Sequence, residues 1–421
     1  MILAILWMLI FAGILYKMPF VRRSGIPIQY IWLAFGAKAI AAILYGYLHW
    51  YKHGGGDTWD YFHYGQVIFN TLPQRPDLYL KFVFGPINYI PTDPVMYTIV
   101  DCDLEHWSDE RTYIMLRISS LISLVAFGHY EVHAVFFAFF SLLGLVAIYR
   151  WLAHYFSVQQ KILYLFLFWQ PSVLFWGSGM HKESVCLLCL GLLFYTFDKW
   201  LRHERHWQHI GMALLGGWLL FMVRPHVGLL LPPILLSWWS TNRYPRYIGL
   251  QFLLSYVVLL ALVVFFDTYT RYSAFNILVE MQHNFIAYFK GNTDFYLPAL
   301  QPTLGSVLSF LPIALYNMLL LPTLAPFTLQ NDLPACLAAL ENTAFLILLL
   351  GSIARTLYYR LPLDTIWYVC LLFALSHLAL MGLITDNLGA ILRYRTLAFV
   401  FMPTILAVYW HKSRADGKRR N

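Results

Sequence analysis

The residues best suited to chemistry gather where apolar stretches give way to polar turns. One such turn reads Gly54-Gly55-Gly56-Asp57-Thr58-Trp59-Asp60-Tyr61-Phe62. Three glycines after an apolar run end a helix and permit positive φ values and close backbone approach. Asp57 follows at the boundary, and Asp60 shares its face if the next turn is helical. A carboxylate there can accept a proton from a hydroxyl nucleophile. The pair could also hold a divalent cation, Mg2+ or Mn2+, through oxygen ligands. The plainer reading is that Asp57 only caps a helix beginning at Thr58. Sequence leaves both open.

A second constellation runs from Pro171 to Ser184 and contains Gly177-Ser178-Gly179-Met180-His181-Lys182-Glu183. The glycines need explain no more than a hairpin turn. His181, Lys182 and Glu183 head the next apolar run, where ionisable groups are costly. Lys182, with the N–H groups of a helix start, suits a phosphate. A snorkelling Lys182 paired with Glu183 is the alternative. Two further breaks add cations: Arg224-Pro225-His226, and Thr385-Asp386-Asn387 running on to Arg393-Tyr394-Arg395. Arg forms bidentate bonds to phosphate better than Lys does. Each break alone is explained by an interfacial anchor for lipid head groups. Together they put Lys182, Arg224, His226, Arg393 and Arg395 on the face expected to carry Asp57 and Asp60, with His181 and Glu183 beside them. That convergence suggests a phosphate donor and a hydroxyl acceptor. The loop aromatics Trp59, Tyr61, Phe62, Tyr64, Trp107 and Tyr113 would suit stacking on a sugar ring, or an interfacial aromatic belt.

The elements that must position these groups are membrane helices. Only 12% of the 421 residues are charged and 60% are apolar, against about 25% charged in a soluble domain. Nucleic-acid binding, a secreted disulfide scaffold and a cytosolic enzyme are all excluded as readings. The expected fold is all-α, a polytopic transmembrane helical bundle forming one integral membrane domain over 1–421. Eleven spans are expected, near 2–16, 27–50, 132–150, 162–178, 183–198, 210–223, 226–240, 248–266, 341–353, 364–383 and 396–410.

The excess of Lys and Arg, net charge +8, orients them. The basic segments 17–26, 199–209, 241–247 and the tail 411–421 belong in the cytoplasm. Residues 51–131 then form a first large extracytoplasmic loop and 267–340 a second. Segments 113–128 and 304–324 are expected as interfacial or re-entrant helices on the outer face, because crossing would break the charge rule. Five cysteines are too few for a disulfide framework, although Cys102 and Cys336 both fall in outer loops. No Walker loop or dinucleotide fingerprint is present.

A membrane helix followed by Gly56-Asp57-x-x-x-Tyr61-Phe62 at the start of a long first outer loop resembles the GT-C superfamily of polytopic glycosyltransferases. The stretch Pro171-Ser172-x-x-Phe175-Trp176-x-Ser178-Gly179-x-x-Lys182-Glu183 is similar to a motif in GT-C-like proteins of bacterial envelopes. The resemblance covers 27–240 by topology and short motifs by sequence. It implies a polyprenyl-phosphate-linked sugar as donor and an envelope glycan, lipid or protein as acceptor. It also implies a site facing the periplasm or exterior from a bacterial inner membrane. Asp57 would be the base, Asp60 a metal or acceptor ligand, and Lys182 with the arginines the donor-phosphate site. An extra helix precedes the one entering the loop, and no Asp-x-Asp pair occurs at 57–60, which depart from the pattern. An O-antigen-type polymerase or ligase using lipid pyrophosphate donors is the main rival. A lipid or solute transporter and a non-catalytic scaffold are the readings from other classes.

Overall fold

The computed structural model describes residues 1–104, 106–204, 206–270, 273–288, 293–322 and 333–411. All of the expected basic tail beyond His411 lies outside the described residues. Among those described, helices dominate and no strand forms; one isolated bridge pairs Asp294 with Asn387.

Among the described residues, six helices are long and apolar enough to cross a membrane: Ile28–Lys52, Tyr130–Tyr155, Lys182–Leu201, Ile248–Tyr269, Cys336–Tyr359 and Thr365–Ile384. Leu388–Tyr394 and Thr396–His411, bent by 40° at their junction, make a seventh if taken together. The other four expected spans take different forms. Ile2–Lys17 has 16 residues and Trp207–Val223 has 17. At 1.5 Å per residue both fall short of the ~30 Å hydrocarbon core. The 162–178 run divides into Gln160–Phe168 and Pro171–Phe175. Proline removes a donor, and its ring disfavours helical geometry in the residue before it, so the helix stops short of Pro171. The 226–240 run likewise divides into Pro225–Leu229 and Leu231–Arg243.

The chain forms two compact units, Met1–Trp151 with Leu174–Gly228, and Leu152–Val173 with Leu229–Asn421. In the first, the helix beginning at Tyr130 is enclosed by protein: Val132, Val135, Phe137, Ala138, Leu142 and Leu145 are fully buried. Its Gly144 meets the Lys182–Leu201 helix so closely that a Cβ on Gly191 would lie 2.2 Å from the Gly144 carbonyl oxygen. Small residues allow such backbone contact, which is the usual device where lipid supplies no hydrophobic drive. Trp151 stacks on Phe194 at 4.9 Å just beyond.

The Asp57–Phe69 helix packs on Glu110–Ala126 in the same way, with Gly65 against Ser119. Ten residues of Glu110–Ala126 are buried, so protein covers much of this helix. The loop aromatics are core as well: Tyr61, Phe62, Trp107 and Tyr113 are buried, and Trp59 stacks on Tyr130 at 4.2 Å.

In the second unit the Thr365–Ile384 helix is central. Leu304–Leu320 lies against it, with Gly382 facing the Ala314 carbonyl, around a core that includes Met318, Phe345, Leu378, Met381, Phe399 and Met402. Ile248–Tyr269 is apolar all round yet buries only Phe252 and Ser255. A helix of that character has lipid for its other faces.

Candidate functional site

The glycine turn is built by backbone geometry that side chains resist. Gly54, Gly55 and Gly56 have φ of +68°, +138° and +86°. Gly54 ends the Ile28–His53 helix by donating its N–H to Trp50 O at 3.0 Å, and Gly55 donates to His49 O at 3.3 Å. Gly56 has ψ of −178°, a region open essentially to glycine alone. It is the N-cap of the next helix, which begins at Asp57 itself. Asp57 is therefore the first helical residue and not its cap. Asp57 and Asp60 are both half-buried in that first turn, where helix partial charge favours carboxylates. Their helix cannot rotate freely, because Thr58 hydrogen-bonds the Tyr130 hydroxyl at 2.6 Å and Trp59 Nε1 donates to Gly46 O at 2.9 Å.

The second turn is fastened carbonyl by carbonyl. Lys38 Nζ, fully buried, donates to Gly177 O at 3.3 Å, and Ser141 Oγ donates to the same oxygen at 2.5 Å. Ser178 Oγ donates to Leu174 O at 2.5 Å and Ser184 Oγ to Gly179 O at 2.6 Å. Gly179 is required here, since a Cβ would come 2.9 Å from the His181 ring. His181 is fully buried, with its ring edge-on to Tyr45 at 4.2 Å. The Tyr45 hydroxyl hydrogen-bonds His49 Nε2 at 2.7 Å, and His49 is the residue whose carbonyl receives Gly55 N–H. The structure thus joins the glycine turn and the His181 turn within one unit through Tyr45 and His49. Neither residue was a sequence candidate, although their i, i+4 spacing put them on one helical face.

Beyond His181 the charged groups pair in ways the sequence concealed. Lys182 Nζ donates to Thr112 Oγ1 at 2.9 Å, and Thr112 Oγ1 donates to Asp109 Oδ2 at 2.5 Å. Asp109 is the N-cap of Glu110–Ala126 and accepts from Arg111 N–H at 3.1 Å. Burial alone would raise the Asp109 carboxyl, but the Thr112 hydroxyl, the Lys182 charge and the Arg111 N–H outweigh it and hold it below its ordinary value. Glu183, almost wholly buried, forms an ion pair with Arg224. Arg224 is set there as the last residue before Pro225, with its N–H on Leu220 O at 2.8 Å. His226 is half-buried one residue past the proline.

Asp57, Asp60, His181, Lys182, Glu183, Arg224 and His226 all belong to the first unit, whereas Arg393 and Arg395 belong to the second. Arg393 is half-buried near the end of Leu388–Tyr394. Arg395 is fully buried, and its Nη1 donates to Leu321 O at 2.9 Å and Asn342 Oδ1 at 3.2 Å. Also in the second unit, Asp386 is raised above the ordinary carboxylate value by burial and by the neighbouring Asp294 charge. Among the described residues, no set of three or more His, Cys, Asp or Glu side chains is placed to hold a metal, and all five cysteines are free thiols. Asp57 and Asp60 remain the two carboxylates that share a helical face.

Compared with known protein families, curated proteins and solved structures, the chain matches none.

Proposed function

We propose that the chain is an integral-membrane glycosyltransferase that moves a sugar from a polyprenyl-phosphate donor to an envelope glycan, lipid or protein acceptor. Its site faces the extracytoplasmic side of a bacterial inner membrane. The observation that carries this reading is the joining of two turns in one unit. One presents Asp57 on a glycine-built helix start; the other presents Lys182 beside the Glu183–Arg224 pair.

In this reading Asp57 accepts the proton of the acceptor hydroxyl as the new glycosidic bond forms. Lys182 and Arg224 stabilise the negative charge that the departing polyprenyl phosphate acquires. Lys182 is held by Thr112 and Asp109 before the donor arrives, so phosphate oxygens would replace the Thr112 hydroxyl as its partner. Glu183 fixes the Arg224 guanidinium and balances its charge, and His226 stands one residue beyond the proline. A divalent cation, if one is used, would be held by Asp57 and Asp60 and would supply Lewis-acid polarisation. Arg393 and Arg395 are not needed for these steps.

Membranes containing the wild-type chain, given labelled polyprenyl-phosphate sugars, are expected to incorporate label into envelope material and release polyprenyl phosphate. Incorporation that requires a lipid pyrophosphate oligosaccharide instead would favour the polymerase or ligase reading. No chain-dependent incorporation from either donor class would contradict the proposal.

A further inference from the structure

We infer that Arg395, in the second unit, is the receptor of a phosphate group; the inference does not rest on the transferase reading. The side chain is fully buried, and among the described residues Nη1 alone is engaged. Among the described residues, Nε and Nη2 have no hydrogen-bond partner. Those two N–H groups lie along one edge of the planar guanidinium, which is the edge that pairs side-on with two oxygens of a phosphate or carboxylate. The bidentate edge is therefore left without a protein acceptor while the rest is anchored.

The anchoring is elaborate. Asn342 Oδ1 accepts from Arg395, while Asn342 Nδ2 donates to Leu320 O at 2.9 Å and to Pro322 O at 3.2 Å. The guanidinium also stacks over the Phe399 ring at 4.5 Å. The adjacent carboxylate, Glu341, is held elsewhere, accepting from Ser172 N at 2.9 Å and Ser172 Oγ at 2.5 Å. Three chain breaks meet here: the start of Pro171–Phe175, the end of Leu304–Leu320, and the 40° bend at Arg395 itself. Irregular backbone at membrane depth is tolerated where it is enclosed by protein or lines a cavity, and broken helices are where membrane proteins place ionic ligands. An unpaired pair of charged donors in such a place is costly. A phosphate oxyanion supplies two acceptors and the opposite charge.

Phosphate can come from a free or terminal phosphate or from a lipid headgroup, and one experiment separates these. The purified full chain, in nanodiscs of phosphatidylcholine alone, is melted against increasing inorganic phosphate, with chloride at matched ionic strength as control. The melt is repeated in nanodiscs containing phosphatidylglycerol. The expected result is a higher melting temperature with inorganic phosphate, with phosphatidylglycerol, or with both, and none with chloride. A response to inorganic phosphate identifies a free or terminal phosphate; a response to phosphatidylglycerol alone identifies a headgroup. Arg395→Lys keeps the charge but loses the fork, so half-saturation should need at least tenfold more ligand. Asn342→Ala, which removes one of the two acceptors that hold Nη1, should also weaken the response and serves if Arg395→Lys fails to fold. No response in the wild type, an equal response to chloride, or an undiminished response in either variant would overturn the assignment.

Discussion

The Glu183–Arg224 pair is the residue-scale feature with the clearest energetic consequence. Glu183 is almost wholly buried and Arg224 nearly so, and removing one member of such a pair leaves the other charge uncompensated. Glu183→Ala should therefore cost about 3 kcal/mol or more of stability, read as a lowered melting temperature in detergent. A melt within a degree of wild type would show that the pair is not structural. Asp109 gives a pH-dependent counterpart. Its folded value lies below the ordinary carboxylate value of about 4. The stabilisation is thus fully present above that ordinary value and is lost as pH falls through the lowered one. Asp109→Asn should melt below wild type at pH 6, with the gap closing below about pH 4. A gap that widens on acidification would reverse the assigned sign. The sequence singled out Lys182, Glu183 and Arg224, but neither Asp109 nor the way these groups pair. Pairing of Glu183 with Lys182, its neighbour in the chain, was one of the two readings left open, whereas its ion-pair partner Arg224 is 41 residues away. Thr112 is 70 residues from Lys182. Short motifs cannot reveal pairings set by helix packing.

At the scale of elements, the reversal between Ile28–His53 and Asp57–Phe69 depends on three positive-φ glycines. Gly56→Ala puts a Cβ where only glycine is comfortable and should cost roughly 1–3 kcal/mol. Gly54→Asn should cost less, because Asn tolerates the left-handed region. Equal melting temperatures for wild type and Gly56→Ala would contradict the turn geometry. This element was legible in sequence, since Gly-Gly-Gly-Asp after an apolar run leaves few conformations. The break at Pro171 was equally legible in local terms, yet hydropathy over 162–178 concealed it. Apolar content says that a segment is buried or in lipid, and proline says that it cannot be one helix. The aromatics of the first loop misled for a related reason: a Trp or Tyr suits a sugar face, an interface and a core alike. Only packing against Tyr130, His133 and Tyr113 decides which.

For the whole molecule, composition alone indicated a helical membrane protein, and the long apolar helices agree with it. Eleven spans were expected from the apolar runs, with 113–128 and 304–324 set aside as interfacial or re-entrant. Among the described residues six reach spanning length, a seventh does if the bent pair Leu388–Tyr394 and Thr396–His411 is one span, and the remaining four are shorter or divided. Orientation rests on the distribution of Lys and Arg, and one labelling experiment addresses it. Cys102 is exposed in the first long loop. A membrane-impermeant maleimide added to intact cells should modify it while sparing a cysteine placed at His203. The reverse pattern would put Asp57 in the cytoplasm and remove the polyprenyl-linked donor from consideration.

The central claim is that Asp57 takes the proton of an acceptor hydroxyl during sugar transfer. The most direct measurement compares wild type, Asp57→Asn and Asp60→Asn, at matched membrane expression, for transfer from a polyprenyl-phosphate sugar. Positioned general bases contribute on the order of 10²–10⁴ in rate. Asp57→Asn is therefore expected to lose at least about a hundredfold in turnover while its melting temperature stays near wild type, and Asp60→Asn to lose much less. Asp57→Asn retaining a substantial share of wild-type turnover, or the two variants showing equal and mild losses, would contradict the account.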